Sequence, residues 1–457
     1  MLSASPNPQQ ANLFLSAMME QLNPSHPLLQ LAKKIPWQML ETEFSALYAK
    51  CGKPAKPIRL MVGLSILKHL DNLSDEALMR AWETNPYYQA FCGEVIFQWK
   101  FPCDASDMSY FRQRIGSAGF EKIFAVSIII HGEQVKEPEV CIDTTVQEKS
   151  TTFPTDAKLY RKVHARCLKL ARQHGIKLQR TYLKEAQQLK REVAYATPKN
   201  KRRTIRKATR RLRTIAGRVL REIERNLPAA AQTTEQENIA LYQRALNQKR
   251  GDKNKLYSLH EPHIYCMSKG KEHKPYEFGI KAAITKTKDS NIIVGALAFD
   301  KNEHDSKLLT RILEQVQRLS ENTPTVALCD RGFRGVKSVG ETDILIPQHK
   351  DKSADEKEQQ KQSERFRKRA GIEPVIGHLK TDHRMNRNFL AGKLGDQINV
   401  LMAAAGFNFR KWLRCFIALI WNRFIQIKSD LLAGNPVRLD LNLNNSVTTK
   451  YTDTDAA

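Results

Sequence analysis

The chain has 457 residues, 27% of them charged and 41% hydrophobic, with a formal net charge of +26 at pH 7. That length allows two or more domains around a sizeable core, and no uninterrupted apolar stretch approaches the length of a bilayer-spanning helix, which argues against membrane insertion. So large a positive surplus repels itself unless the protein works against a polyanion, and nucleic acid is the partner it points to.

In chain order, the opening residues MLSASPNPQQ have neither a basic region nor a following apolar run, so a cytoplasmic protein with a flexible N-terminus over 1–26 is expected. Residues 27–131 read as an all-helical domain. Its short helices run over Pro57–Leu70, Asp75–Thr84 and Asp107–Ile115, separated by turn signals such as Asn85-Pro86, with Ser74 and Ser106 as N-caps. The segment Asp104–Phe124 divides at Gly116, and its first half displays Arg112 and Arg114, a pattern that suits DNA contact and equally an ordinary bundle with surface arginines.

From Glu139 the pattern changes to strands: Val140–Val146, Tyr276–Lys286, Asn291–Phe299, Thr325–Cys329 and Asp343–Ile346, with a helical period at Leu308, Leu309, Ile312, Leu313, Val316 and Leu319. This order predicts an α/β domain with a mixed five-stranded sheet and helices. A first catalytic part at 138–156 is interrupted by a basic insertion at 157–250, read as two long helices turning at Thr197-Pro198-Lys199. Between Ala157 and Leu227 there are 23 Lys and Arg against 4 Asp and Glu, a net +19, and a run holding so much of the charge more often touches phosphate than simply faces water. Residues 251–430 complete the α/β domain and its C-terminal helices. Within them, KDKSADEKEQQKQSER at 350–365 reads as a charged loop, and the apolar region 397–427 reads as core or interface helices because charged residues interrupt it. A polar, loosely attached tail is expected over 431–457. The eight cysteines form no CxxC pair, and the cluster His260, His263, Cys266 and His273 matches no zinc spacing, so no structural zinc is predicted.

Three carboxylates carry the chemistry. Asp143 sits inside the apolar run Val140-Cys141-Ile142, where an unpaired charge is costly, and Asp330 leaves the run Val326–Cys329 at its carboxyl end. Either alone also reads as a strand-end Asp capping a turn. Glu373 lies at helical offsets from Phe366, Arg369 and Lys380 that share one face, with Gly371 and Pro374 predicted to kink or restart the helix there. Such a set of hard oxygen ligands suits two divalent metals acting on a phosphodiester.

The spacing Phe366-x2-Arg369-x3-Glu373-x6-Lys380 resembles the tyrosine, arginine, glutamate, lysine signature of bacterial insertion-sequence DDE transposases, with Phe in place of Tyr. Around it, the blocks at Cys141–Gln147, Ala327–Gly335 and Arg369–Lys380 look like that family's three catalytic blocks, and Arg59–Gly93 is similar to its N-terminal domain. The resemblance implies a ribonuclease H-like catalytic domain, a triad of Asp143, Asp330 and Glu373, and two Mg2+ ions, with Mn2+ as a substitute. It also implies cut-and-paste movement of the protein's own element through its inverted terminal repeats. Arg369 and Lys380 would hold the transposon end, with stacking or packing at Phe366; apart from the resemblance, Arg331, Arg112 and Arg114 are further candidate DNA contacts. A homodimer in the synaptic complex, bacterial cytoplasm and association with the nucleoid follow from the same resemblance. The competing expectations are a ribonuclease H-like nuclease that cuts without joining, and a transposase-derived DNA-binding regulator.

Overall fold

The computed structural model describes residues 17–49, 51, 54–249, 251–268, 275–347 and 356–432. Seven helices come first: α1 (Met18–Gln21), α2 (Pro27–Lys34), α3 (Trp37–Ser45), α4 (Ile58–Leu70), α5 (Asp75–Thr84), α6 (Pro86–Phe91) and α7 (Ala105–Ile129). Residues 18–21, expected within a flexible segment, are helical, and Met18 is buried against Leu29 and Ala90. Ser74 caps α5 as predicted, its Oγ accepting from Ala77 N at 3.1 Å. For α7 the capping residue is Asp104 in place of Ser106, and Asp107 Oδ2 accepts from the Asp104 N–H at 3.0 Å. Gly116, at φ 61°, divides α7 where the sequence predicted two helices.

The strands are β1 (Glu139–Lys149), β2 (Tyr265–Met267), β3 (Glu277–Thr287), β4 (Ile293–Phe299), β5 (Val326–Leu328), β6 (Ser338–Val339), β7 (Thr342–Leu345) and β8 (Arg387–Asn388). Among the described residues they form one mixed eight-stranded sheet. Its centre is β4-β3-β1-β5-β7, antiparallel from β4 to β1 and parallel from β1 to β7. These are the five expected strands; β2, β6 and β8 are short additions. The free edge of β4 is closed by side-chain amides, which blunts it against stray pairing: Asn408 Oδ1, Gln315 Oε1 and Gln397 Oε1 accept from Ile293, Ala296 and Ala298 N–H at 3.0, 2.8 and 2.9 Å.

Between β1 and β2 lies the insertion. It holds four helices instead of two, namely α8 (Asp156–Gln173), α9 (Leu183–Ala194), α10 (Lys201–Asn226) and α11 (Ala229–Asn247). They enclose their own core, with Val163, Cys167, Ile215, Ala216, Val219 and Ile223 fully buried, so the insertion is a small bundle and not a projecting hairpin.

The sheet is followed through by α12 (Leu309–Ser320), α13 (Glu356–Ala370), α14 (Ile372–Thr381) and α15 (Gly392–Leu432). Residues 356–365, expected as loop, begin α13: Glu, Lys, Gln and Arg are strong helix formers and nothing in the run breaks a helix. One continuous core joins α2–α7, α12, α15 and the sheet through Trp82, Phe120, Phe124, Ile142, Ile284 and Phe409. The N-terminal helices are therefore packed onto the α/β body directly. Polar contacts pin the seam, with Asn408 Nδ2 donating to Ile293 O at 2.8 Å and to Ser127 Oγ at 3.2 Å. Beyond Phe416, α15 leaves this core and exposes Ile417, Trp421, Phe424 and Ile425. Among the described residues no helix is long and apolar enough to cross a membrane.

Candidate active site

Adjacent parallel strands carry the first two acids. Asp143 lies in β1 opposite Ile284 of β3, and Asp330 follows β5, whose Leu328 pairs with Cys141. Val140, Cys141 and Ile142 on one strand and Ala327, Leu328 and Cys329 on the other are all buried, so each acid emerges from a rigid apolar stretch. Burial pushes the Cys141 thiol up to about 11 and raises that of Cys329 too, where Asp330 adds to the effect; both stay neutral thiols near neutral pH.

Glu373 arrives on a helix junction. Gly371 separates α13 from α14, and Ile372, fully buried, packs on Cys141 and Leu328. That side chain seats the junction on the two strands and delivers the next residue, Glu373, to their ends. Pro374 falls in the first turn of α14, where its missing N–H forfeits no helical hydrogen bond, so the predicted kink takes the form of a clean restart. Ion pairs fasten α13: Arg365 Nη2 donates to Glu139 Oε1 at 2.6 Å and Lys368 Nζ to Asp289 Oδ1 at 2.6 Å.

The three acids converge on one cation. Arg369 Nη2 lies 3.1 Å from Asp143 Oδ2 and 3.9 Å from Asp330 Oδ2, while its Nη1 lies 3.9 Å from Glu373 Oε1. The carboxylates grade outward, with side-chain exposures of 15%, 42% and 70% for Asp143, Asp330 and Glu373. Three carboxylates thus share one guanidinium, and Arg369 Nε is buried without a hydrogen-bond partner. Among the described residues no three His, Cys, Asp or Glu side chains approach closely enough to hold a metal ion as they stand; here the guanidinium occupies the centre of the acidic set. Asp143 Oδ1 accepts from Thr144 N at 2.7 Å, and Asp330 Oδ1 accepts from Gly332 N at 2.9 Å, so Asp330 both caps its turn and faces the cluster.

A fourth acid escaped the sequence reading. Asp305, at the start of the 3-10 turn before α12, takes a hydrogen bond from Thr144 Oγ1 at 3.2 Å and pairs with Lys281 Nζ of β3 at 2.8 Å. A β-carbon on Gly332 would sit 2.9 Å from Asp330 Oδ1 and 3.2 Å from Asp305 Oδ2, so the two carboxylates flank one point. The available signal was Asp305 just ahead of the periodic helix that begins at Leu308; no apolar strand marks it.

The other predicted residues divide. Phe366 is half-buried on α13 one turn before Arg369, Lys380 lies two turns past Glu373, roughly 10 Å along α14, and Arg331 is exposed beside Asp330. Arg369 itself lies among the acids. Arg112, expected to contact DNA, is buried: its Nη1 and Nη2 donate to Asp75 at 3.1 and 2.6 Å, which leaves it a structural ion pair. Arg114 is exposed and lies over the Tyr48 ring at 4.3 Å. Of the histidine and cysteine cluster, His263 pairs with Asp396 Oδ2 at 2.7 Å in a buried network with Lys149 and Glu261, and His273 lies outside the described residues.

Residues 16–114 match the family described as "Transposase domain (DUF772)", and residues 247–409 match the "Transposase DDE domain". The second match contains Asp305, Asp330, Arg369 and Glu373; Asp143 and the insertion helices fall between the two matches. A protein of Rhizobium meliloti described as "Uncharacterized protein ORF8 in nfe locus" is 39% identical over 186 residues, covering 40% of this chain and 90% of that protein. No solved structure matches the chain.

Proposed function

The chain belongs to the insertion-sequence DDE transposases, and from that premise we propose that Asp143, Asp330 and Glu373 form its catalytic triad for cleaving and joining DNA. The observation that carries this is the single guanidinium within ion-pairing reach of all three acids, which come from two strands and one helix far apart in sequence. The strand order β4-β3-β1-β5-β7, with acids on β1 and after β5, supports a ribonuclease H-like catalytic fold.

The family generally works with divalent metal ions. The donor set here is three carboxylates, hard oxygen ligands that suit hard cations; Asp143, Asp330 and Glu373 would hold two Mg2+ ions, or Mn2+ in their place. Bound there, the metal would relieve phosphate charge and activate the attacking oxygen. The chain's own groups do the rest. Ile372 and the buried strands fix where the carboxylates stand, Asp330's turn holds its second oxygen away from the centre, and Arg369 keeps the acids assembled. Arg331, Lys380, Arg114 and Phe366 are the side chains we assign to the path of the terminal repeat and target DNA. The reaction is cut-and-paste transposition on the element's own inverted repeats, carried out by a homodimer that holds two ends together.

The test uses purified protein, a duplex bearing the element's ends and Mg2+. The wild type should nick the end and join its 3′ hydroxyl to target DNA, and Asp330→Asn should lose both activities by about a thousandfold or more while binding the duplex unchanged. Equal cleavage by the two proteins would remove Asp330 from the site. Nicking without joined product would favour a nuclease.

A further inference from the structure

We infer that one face of α10 is a docking track for the phosphate backbone of duplex DNA, separate from the acidic centre. The inference rests on the transposase reading for the identity of the polyanion, and its test is arranged to fail independently. Arg202, Arg206, Arg210, Arg213 and Arg221 are all exposed. At 100° per residue they fall within about 100° of arc and extend over about 28 Å of helix. The opposite face is apolar and fully engaged, with Leu212, Ile215, Val219 and Ile223 buried in the insertion's core.

A solvated helix face mixes its charges, because opposite signs one turn apart stabilise it. From Arg202 to Arg213 this face does the reverse, and Glu224, the one acid of α10 within the arc, stands one turn beyond Arg221. Arg202, Arg206 and Arg210 stand four residues apart and repel one another. None of the five is ion-paired among the described residues, whereas Arg211, off the row, pairs with Glu185 at 2.5 Å. The acids of α10 are Glu222 and Glu224, each partly buried in its last turns and accepting hydrogen bonds from Gln179 N and Gln243 Nε2. Local electrostatics alone would select against such a row; a partner carrying one negative charge per about 1.7 Å of axis would hold it. Arg221 folds back over Gly217, with Nη1 3.4 Å from where a β-carbon would stand, and so continues the line of charge past the glycine. The placement fits a duplex engaged at the acids, because the insertion leaves the sheet from the carboxyl end of β1, roughly 20 Å along the strand from Asp143.

The experiment replaces the five arginines by Gln in the full-length protein and follows binding of a fluorescent duplex of random sequence across a salt series. The plot of log affinity against log salt should flatten by about 4, and affinity at moderate salt should fall about a hundredfold. The melting temperature should stay level or rise, because Gln keeps helix propensity while the repulsion disappears. A control changing Lys33, Lys34, Lys136, Arg311 and Arg318 to Gln removes the same charge elsewhere. An unchanged slope, a control that flattens the slope equally, a binding loss that tracks lost stability, or tighter capture of single-stranded RNA than of duplex DNA would each overturn the inference. Cleavage of an end-bearing duplex by the wild type at low salt judges the enzymatic reading on its own: its absence sinks that reading and leaves the slope to decide the track.

Discussion

Two glycines show how differently the catalytic body and the insertion are built. Gly279 of β3 faces β1 so closely that a β-carbon there would stand 2.0 Å from the Gln147 carbonyl oxygen. Gly217, in the middle of α10, would place the same atom 3.4 Å from Arg221 Nη1 and 4.0 Å from Leu246 Cδ1, both ordinary contacts. The sheet that positions Asp143 is therefore close-packed down to its backbone, and a single methyl matters. The bundle keeps a sufficient core of its own and spends its surface on charge, so side chains there can change without disturbing the acids.

The sharpest way to break this contrast is Gly279→Ala. The added methyl cannot fit while β1 and β3 remain paired, so the catalytic body should lose about 3 kcal/mol or more, with a collapse of soluble yield. A variant melting within a degree or two of the wild type would show that the pairing is looser than the backbone contact implies.

Acidification should separate the regions next. Burial lowers His69 to about 3 and His131 and His383 to about 4, against an ordinary 6.5, and all three lie at the seam between the N-terminal helices and α15. His131 Nε2 bonds to Asn408 O at 3.1 Å, and His383 Nδ1 to His69 O at 2.8 Å. Their folded pKa values are depressed, so the native state keeps them neutral while the unfolded chain takes up protons below about 6.5. Stability is complete above that pH and drains away as pH falls toward 4, by on the order of 3 kcal/mol for each of His131 and His383. In the insertion, burial also lowers His164, but it stands alone. Melting followed from neutral pH to about 4.5 should therefore show the catalytic body weakening more than the bundle; parallel decline would refute the assignment of the acid sensitivity to the seam.

Within the site the expected effects are smaller. Asp305→Asn keeps the side chain's shape but removes the charge that Lys281 faces beside Thr144, and should slow cleavage about tenfold with DNA affinity intact. Gly332→Ala should act similarly by displacing the Asp330 carboxylate. Wild-type rates in both variants would reduce Asp305 to a surface ion pair.

How much of this was legible in the sequence follows from where each signal sits. The five strands could be read because short apolar runs with abrupt polar ends are local patterns, and Asp143 and Asp330 stood out as candidates because they lie in or just after two of those runs. The sequence suggests two helices in the insertion although Gly175, at φ 64°, and Leu227-Pro228 mark the other breaks: the basic run over Ala157–Leu227 hides the boundary of the short α9 and stops before α11, where Glu235 and Glu237 face one Arg244. Arg112 looked available because nothing near it in sequence is its partner; Asp75 lies on another helix. The position of Arg369 amid the acids depends on Ile372 docking across two strands, a tertiary event that helical spacing cannot report.

The smallest effect tests the comparison from the other side. Gly217 is helical and interior to α10, and glycine there costs up to about 1 kcal/mol relative to alanine through backbone entropy. Gly217→Ala should therefore stabilise the insertion by up to that amount, visible as a small upward shift of its melting transition, with cleavage unchanged. A catalytic body that loosened in response would mean that the two cores are coupled. A bundle that lost stability would mean that Leu246 and Arg221 have less freedom to accommodate a methyl than their distances allow, and the insertion would then be as tightly fitted as the sheet.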